Sequence, residues 1–174
     1  MESVAVVRES TLGYKITMTE DQFRDRLRSV PDAKKIAIAI YGESVAAYRY
    51  GVLVEKADSE HHRRTFEQMK HEELGHQRAL EALAKKHFPN ADFVLTPDDK
   101  DLVIVGARML EVTDADSFRK AMRFLHDTEL RTGRFYRVLH ELMPSGDLGR
   151  FLTEMADECL EHAQSLLAID SPFR

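Results

Sequence analysis

Apolar residues recur at three- and four-residue spacing through four long stretches of the chain, the period of a helix that buries one face. The first stretch carries Ile36, Ile40, Ala47, Tyr50 and Val54, and the second Phe66, Met69, Leu80 and Leu83. The third carries Phe118, Met122, Leu125, Tyr136, Leu139 and Met143, and the fourth Leu148, Leu152, Met155, Leu166 and Ile169. Helix breakers fall between the stretches. Pro31, Pro89, Pro97, Pro144 and Pro172 stand where a helix starts or has just ended. The pattern predicts long helices over about 31–56, 60–88, 115–142 and 146–169. Asp58-Ser59 makes the first turn, Thr113-x-x-Asp116 caps the third long helix, and Met143-Pro144-Ser145-Gly146 leads into the fourth. A shorter helix over about 20–29 starts at Thr19, with Gln22 closing a Thr-x-x-Gln capping box.

Short loops join the first long helix to the second and the third to the fourth, so each pair is an antiparallel hairpin. Between the hairpins lie about 25 residues with their own short helix after Thr96-Pro97. Helices of about 27 residues are about 40 Å long, and such a connection can cross that distance. The expected architecture is all-α: two helical hairpins joined by a long crossover, with the second and third long helices parallel. The expected organisation is a single domain over residues 1–174, with a four-helix core at about 31–169 and an extension over 1–30.

Each apolar stripe is interrupted near its middle. Glu43 interrupts the first, Glu73 and His76 the second, Glu129 and Thr132 the third, and Cys159 and His162 the fourth. The interruptions lie 12 to 14 residues from their helix starts, so equal helices place them in one layer. Three carboxylates and two imidazoles then meet inside the core. A buried carboxylate without a partner costs several kcal/mol or takes up a proton. Divalent metal ions remove that conflict, and carboxylate with imidazole suits non-haem iron, manganese and zinc.

An internal repeat sharpens the reading. A shift of 86 residues lays the first hairpin on the second without a gap. Glu43 falls on Glu129, Tyr50 on Tyr136, Glu72 on Glu158 and His76 on His162, and 33 residues separate Glu from His in both halves. A two-fold pseudo-symmetric site is what two metals sharing carboxylates require.

Composition narrows the function classes. The net charge is −5, with 25 basic against 30 acidic residues, a poor basis for nonspecific nucleic-acid binding. Cys159 is the single cysteine, which excludes an internal disulfide and multi-cysteine metal knuckles. No apolar run approaches the roughly 18 residues of a membrane span. Met1 to Glu9 lacks a basic flank before an apolar core, so no secretory signal is expected and a cytoplasmic location is.

The four helices resemble the ferritin-like di-metal carboxylate proteins. Gly42-Glu43, Tyr50 and the Glu72-Glu73-x-x-His76 run look most like rubrerythrins and bacterioferritin. The resemblance implies one Glu from each of two helices and a Glu-x-x-His pair from each of the others. Carried over by position, Glu43 and Glu129 are the single ligands, Glu73 and His76 the first pair, and His162 half of the second. Tyr50 and Tyr136 are candidates to hydrogen-bond the ligands, or else ordinary core aromatics.

The second pair departs from the family pattern, because Cys159 stands where a Glu is expected. Three readings stay open. Glu158 swings in through a helix distortion such as a π-bulge; Cys159 ligates as a thiolate; or the second metal position is weakened or lost. Thr132 occupies a position where rubrerythrins typically carry a further Glu, and there is no Cys-x-x-Cys rubredoxin module. The resemblance implies two metal ions, usually iron, an oxidoreductase acting on peroxide or dioxygen, an external electron donor and a homodimer. The alternatives are a ferritin-like iron-binding or ferroxidase protein, and a bundle with an incomplete site and a structural or binding role.

Overall fold

The computed structural model of the chain describes residues 18–104, 106 and 109–170. The N-terminal reading of Met1 to Glu9, and Pro172, lie outside the described residues. The helices are α1 (Glu20–Ser29), α2 (Asp32–Lys56), α3 (Glu60–His87), α4 (Pro97–Lys100), α5 (Ala115–Leu142) and α6 (Gly146–Asp170).

The caps explain where these helices start. Thr19 and Gln22 form the reciprocal capping box at α1. The Ser59 hydroxyl accepts from the His62 N–H at α3, and Thr96 pairs with Asp99 at α4. The cap of α5 lies one residue later than the sequence pattern suggests: Asp114, not Thr113, accepts from the Ser117 N–H at 2.8 Å. Asp114 has extended backbone, which lays its carboxylate over the first turn, and its own N–H donates to the Ser117 hydroxyl at 2.9 Å. Gly146 takes a left-handed φ of 71° in the turn between α5 and α6, a conformation that costs glycine nothing.

The hairpins α2–α3 and α5–α6 lie side by side, with α2 next to α5 and α3 next to α6. Two apolar clusters fill the bundle. One gathers Ile36, Ile38, Leu80, Leu139 and Leu152, and the other Leu53, Phe66, Met69, Met122 and Leu166. Along every long helix the buried polar residues fall between the two clusters. The α1 helix buries Phe23 and Leu27 on the α5 side and is held by Arg24–Glu141 and Arg134–Glu20 ion pairs.

The crossover is tied to the bundle at several points. Lys34 pairs with Asp99 at 2.8 Å, and Arg131 donates to the Asp101 carbonyl at 2.9 Å. Val103 sits where a Cβ on Gly42 would be, 2.7 Å from its Cγ2, so glycine at 42 lets the crossover close over the helix beside Glu43. Gly75, the other glycine beside a candidate ligand, has open space instead. Among the described residues no helix is long and apolar enough to cross a membrane.

Candidate metal centre

The four long helices bring Glu43, Glu73, His76, Glu129 and His162 together between the two apolar clusters. The three glutamates are 1–4% exposed and His162 is 6% exposed. Two overlapping groups form: Glu43, Glu73 and His76, and Glu73, Glu129 and His162, each with ligand atoms within 4.8 Å of one another. Glu73 belongs to both. Its Oε2 is 3.5 Å from His76 Nδ1, and its Oε1 is 2.9 Å from His162 Nδ1. The carboxylate of α3 therefore spans the gap between the two groups.

The surrounding hydrogen bonds obey the repeat. The Tyr50 hydroxyl donates to Glu129 Oε1 at 2.7 Å, and its counterpart Tyr136 donates to Glu43 Oε1. His162 donates from Nε2 to Glu72 at 2.9 Å, and His76 donates from Nε2 to Glu158 at 2.5 Å. Each imidazole thus has its outer nitrogen tied to a half-exposed carboxylate on the neighbouring helix, which leaves Nδ1 facing the buried glutamates. A carboxylate on the far nitrogen fixes a ligating imidazole's orientation. Sequence reasoning matched Glu72 with Glu158 by the repeat but gave Glu72 no role. The signal was present in both being one helix step before the interrupting position.

The geometry places Glu158 outside the buried group. The α6 helix runs without a π-turn, so nothing rotates the Glu158 side chain inward. The inward position belongs to Cys159, which is 5% exposed and whose thiol donates to Glu129. Its Cβ lies 3.2 Å from where a Cβ on Gly133 would be. Burial and then the charge of Glu129 push the thiol well above its ordinary range.

The electrostatics show how strained three buried acids are. Burial, then the charge of Glu73, raises Glu43 well above the carboxylate range. Burial and Glu73 likewise raise Glu129 to about 7. Burial would also raise Glu73, but hydrogen bonds from His162 and His76 outweigh it and hold Glu73 far below that range. Burial would lower both imidazoles. Glu43 and Glu73 nevertheless lift His76 to about 11, and Glu73 with Glu129 lifts His162 to about 10. The tyrosines are raised by burial and by the carboxylates they touch.

A cavity of about 10 Å³, the room of one water, opens on the side of the glutamates away from the imidazoles. Gly42, Glu43, Ala46 and Arg49 of α2 and Thr128, Glu129 and Thr132 of α5 line it, with Glu73 behind and Ile104 of the crossover. Arg49 is 1% exposed, and its guanidinium stands 4.9 Å from the centre of the Phe124 ring. Burial lowers it to about 10 against the attraction of Glu129 and Tyr41, so it remains a cation at neutral pH. Sequence reasoning did not single out Arg49. Its signal is a mismatch in the repeat, where the counterpart is Phe135.

The rubrerythrin family model matches residues 34–169. The chain belongs to the rubrerythrin family. Its fold is similar to that of a hypothetical protein from Pyrococcus furiosus, with a TM-score of 0.73 over 84% of this chain and 92% of that one, at 20% identity. No curated protein matches the chain. The four-helix bundle is ferritin-like, and membership of the rubrerythrin family implies a di-metal site, usually of iron.

The residues present fit a pair of ions. His162 Nδ1 is buried and has no hydrogen-bond partner, because Glu73 lies close to it but out of line. Such an orphaned nitrogen, aimed at two carboxylates, is a ligand atom in search of a cation. The donor set of imidazole nitrogen and carboxylate oxygen is that of iron, manganese and zinc.

Proposed function

We propose that this rubrerythrin-family protein is a non-haem di-iron oxidoreductase that reduces peroxide or activates dioxygen. The observation that carries the reading is the pair of ligand groups joined at Glu73, with a water-sized cavity against their carboxylates. One ion would be held by Glu43, Glu73 and His76, and the other by Glu129, Glu73 and His162. Two ferrous ions, when bound, supply the two electrons that cleavage of an O–O bond takes up. Hydrogen peroxide with two electrons and two protons gives two waters.

The chain's residues do the rest. Glu158 and Glu72 orient the two imidazoles through their Nε2 atoms. The Tyr50 and Tyr136 hydroxyls hold the Glu129 and Glu43 carboxylates in place and keep a proton close to each. The apolar clusters on both sides exclude bulk water, which strengthens every charge interaction within. A cavity of about 10 Å³ favours a diatomic oxygen compound over an organic substrate.

The electrons would come from a separate donor protein, since the one cysteine rules out a rubredoxin-type module in this chain. A cytoplasmic homodimer is the setting this reading expects. Cys159 in place of a fourth carboxylate favours a second reading, a bundle whose second metal position is incomplete.

Elemental analysis of protein produced with iron tests the proposal. About two metals per chain, with absorbance that changes on addition of peroxide, is the expected result. Absence of metal after anaerobic iron loading would overturn it, and a shell of many subunits in sedimentation would favour storage.

A further inference from the structure

The lining of the cavity follows the repeat almost throughout. Gly42 pairs with Thr128, Glu43 with Glu129, and Ala46 with Thr132, so the cavity lies on the pseudo-two-fold axis. Symmetry breaks at two places. Arg49 stands opposite Phe135, and Cys159 stands opposite Glu73. Both breaks fall on the same side, beside Glu129: Cys159 donates to Glu129, and Glu129 is the charge that most favours the Arg49 cation. One break removes a negative charge and the other adds a positive one.

The charge balance then follows, and it rests on the di-metal reading above. Two divalent ions bring four positive charges, and the buried glutamates Glu43, Glu73 and Glu129 bring three negative ones. Arg49 adds a further positive charge in the same water-poor layer. Excess charge of one sign inside a core is costly, and an anion that reaches both cations relieves it. The repeat leaves no side chain for that task, because the fourth carboxylate position is a neutral thiol. The space between Arg49, Thr128 and Glu129 is the one place beside the glutamates where a small ligand has room.

We propose that this cavity is a subsite for a small monoanion of two or three heavy atoms, held between the Arg49 guanidinium and the metal position of Glu73, Glu129 and His162. The hydroperoxide ion has that charge and size. The planar guanidinium offers donors that can meet such an anion while staying over the Phe124 ring. The subsite is one-sided, so the anion belongs to the Glu129 half and not to the Glu43 half.

Azide is the probe, added to metal-loaded protein and followed by its charge-transfer absorbance, with metal content measured on the same samples. Wild-type protein is expected to bind azide, while imidazole, too large for the cavity, leaves the spectrum unchanged. Arg49→Met is expected to keep its metal and weaken azide by about tenfold or more. Arg49→Lys keeps the charge and is expected to lose only a few-fold; if Arg49→Met fails to fold, Arg49→Gln against Arg49→Lys makes the same comparison. Equal azide affinity in wild type and in the charge-removing variants at equal metal content would overturn the proposal, as would metal-loaded wild type that binds no azide. Wild-type protein that takes up no metal instead overturns the di-metal reading, and the anion subsite with it.

Discussion

His76 and Glu158 meet at 2.5 Å across the α3–α6 interface, and His162 and Glu72 repeat the contact at 2.9 Å in the opposite direction. Each hairpin thus orients the imidazole of the other. Glu158→Gln and Glu72→Gln are each expected to lower metal affinity by about tenfold, the usual effect of removing a carboxylate behind a ligating imidazole. Competition titration with a chelating dye checks this. A complete loss of binding in Glu158→Gln alone would instead make Glu158 a direct ligand.

Cys159→Glu restores the carboxylate that the repeat lacks. In the metal-free protein a fourth buried acid is expected to cost about 2–4 kcal/mol of stability. With metal bound the sign reverses, and the second metal position gains affinity. Thermal melts with and without iron, together with metal counting, separate the two effects.

The pH dependence of the metal-free protein follows from its raised and lowered groups. His76 and His162 are lifted from 6.5 to about 11 and about 10, so their contribution is whole below 6.5 and is lost as pH rises towards those values. Glu129, lifted from 4.5 to about 7, acts in the same direction between those values, and Glu43 is also raised. Glu73 is depressed, so its contribution is present above 4.5 and is lost as pH falls below that. Stability of the metal-free protein should therefore peak at about pH 5 and fall by more than about 2 kcal/mol by about pH 9. Metal affinity should rise over the same range, because the ions displace protons from the imidazoles. Urea unfolding of stripped protein and dye competition at matched pH values measure both.

Tyr50→Phe and Tyr136→Phe each remove a hydrogen bond to a buried carboxylate. Each is expected to destabilise the metal-free protein by about 1.5–3 kcal/mol, the range for hydrogen bonds to charged groups. Equilibrium denaturation gives the number, and equal losses in the two variants would reflect the two-fold relation.

Two glycines that look alike in sequence should respond with opposite signs. Gly42→Ala drives a methyl group to 2.7 Å from Val103 and should cost about 1–3 kcal/mol. Gly75→Ala meets nothing within 4 Å and should gain about 0.5–1 kcal/mol from helix propensity. Thermal melts of the two variants check both signs.

The sequence by itself determined the helices, because capping residues, breakers and apolar period act within a few residues of one another. Thr19 with Gln22, Ser59, and Thr96 before Pro97 mark starts that the folded chain keeps. It also determined that Glu43, Glu73 and Glu129 lie at one depth, since helix rise turns residue count into height. What only tertiary structure decided is which side of a helix meets which neighbour. Glu158 and Cys159 are adjacent in sequence, about 100° apart around α6, and the packing of α6 on α3 and α5 sends one to His76 and the other to Glu129. Arg49 was silent in the apolar pattern for the same reason: its partners Phe124 and Glu129 come from α5, and a charge acquires a role in the core only when another helix closes over it.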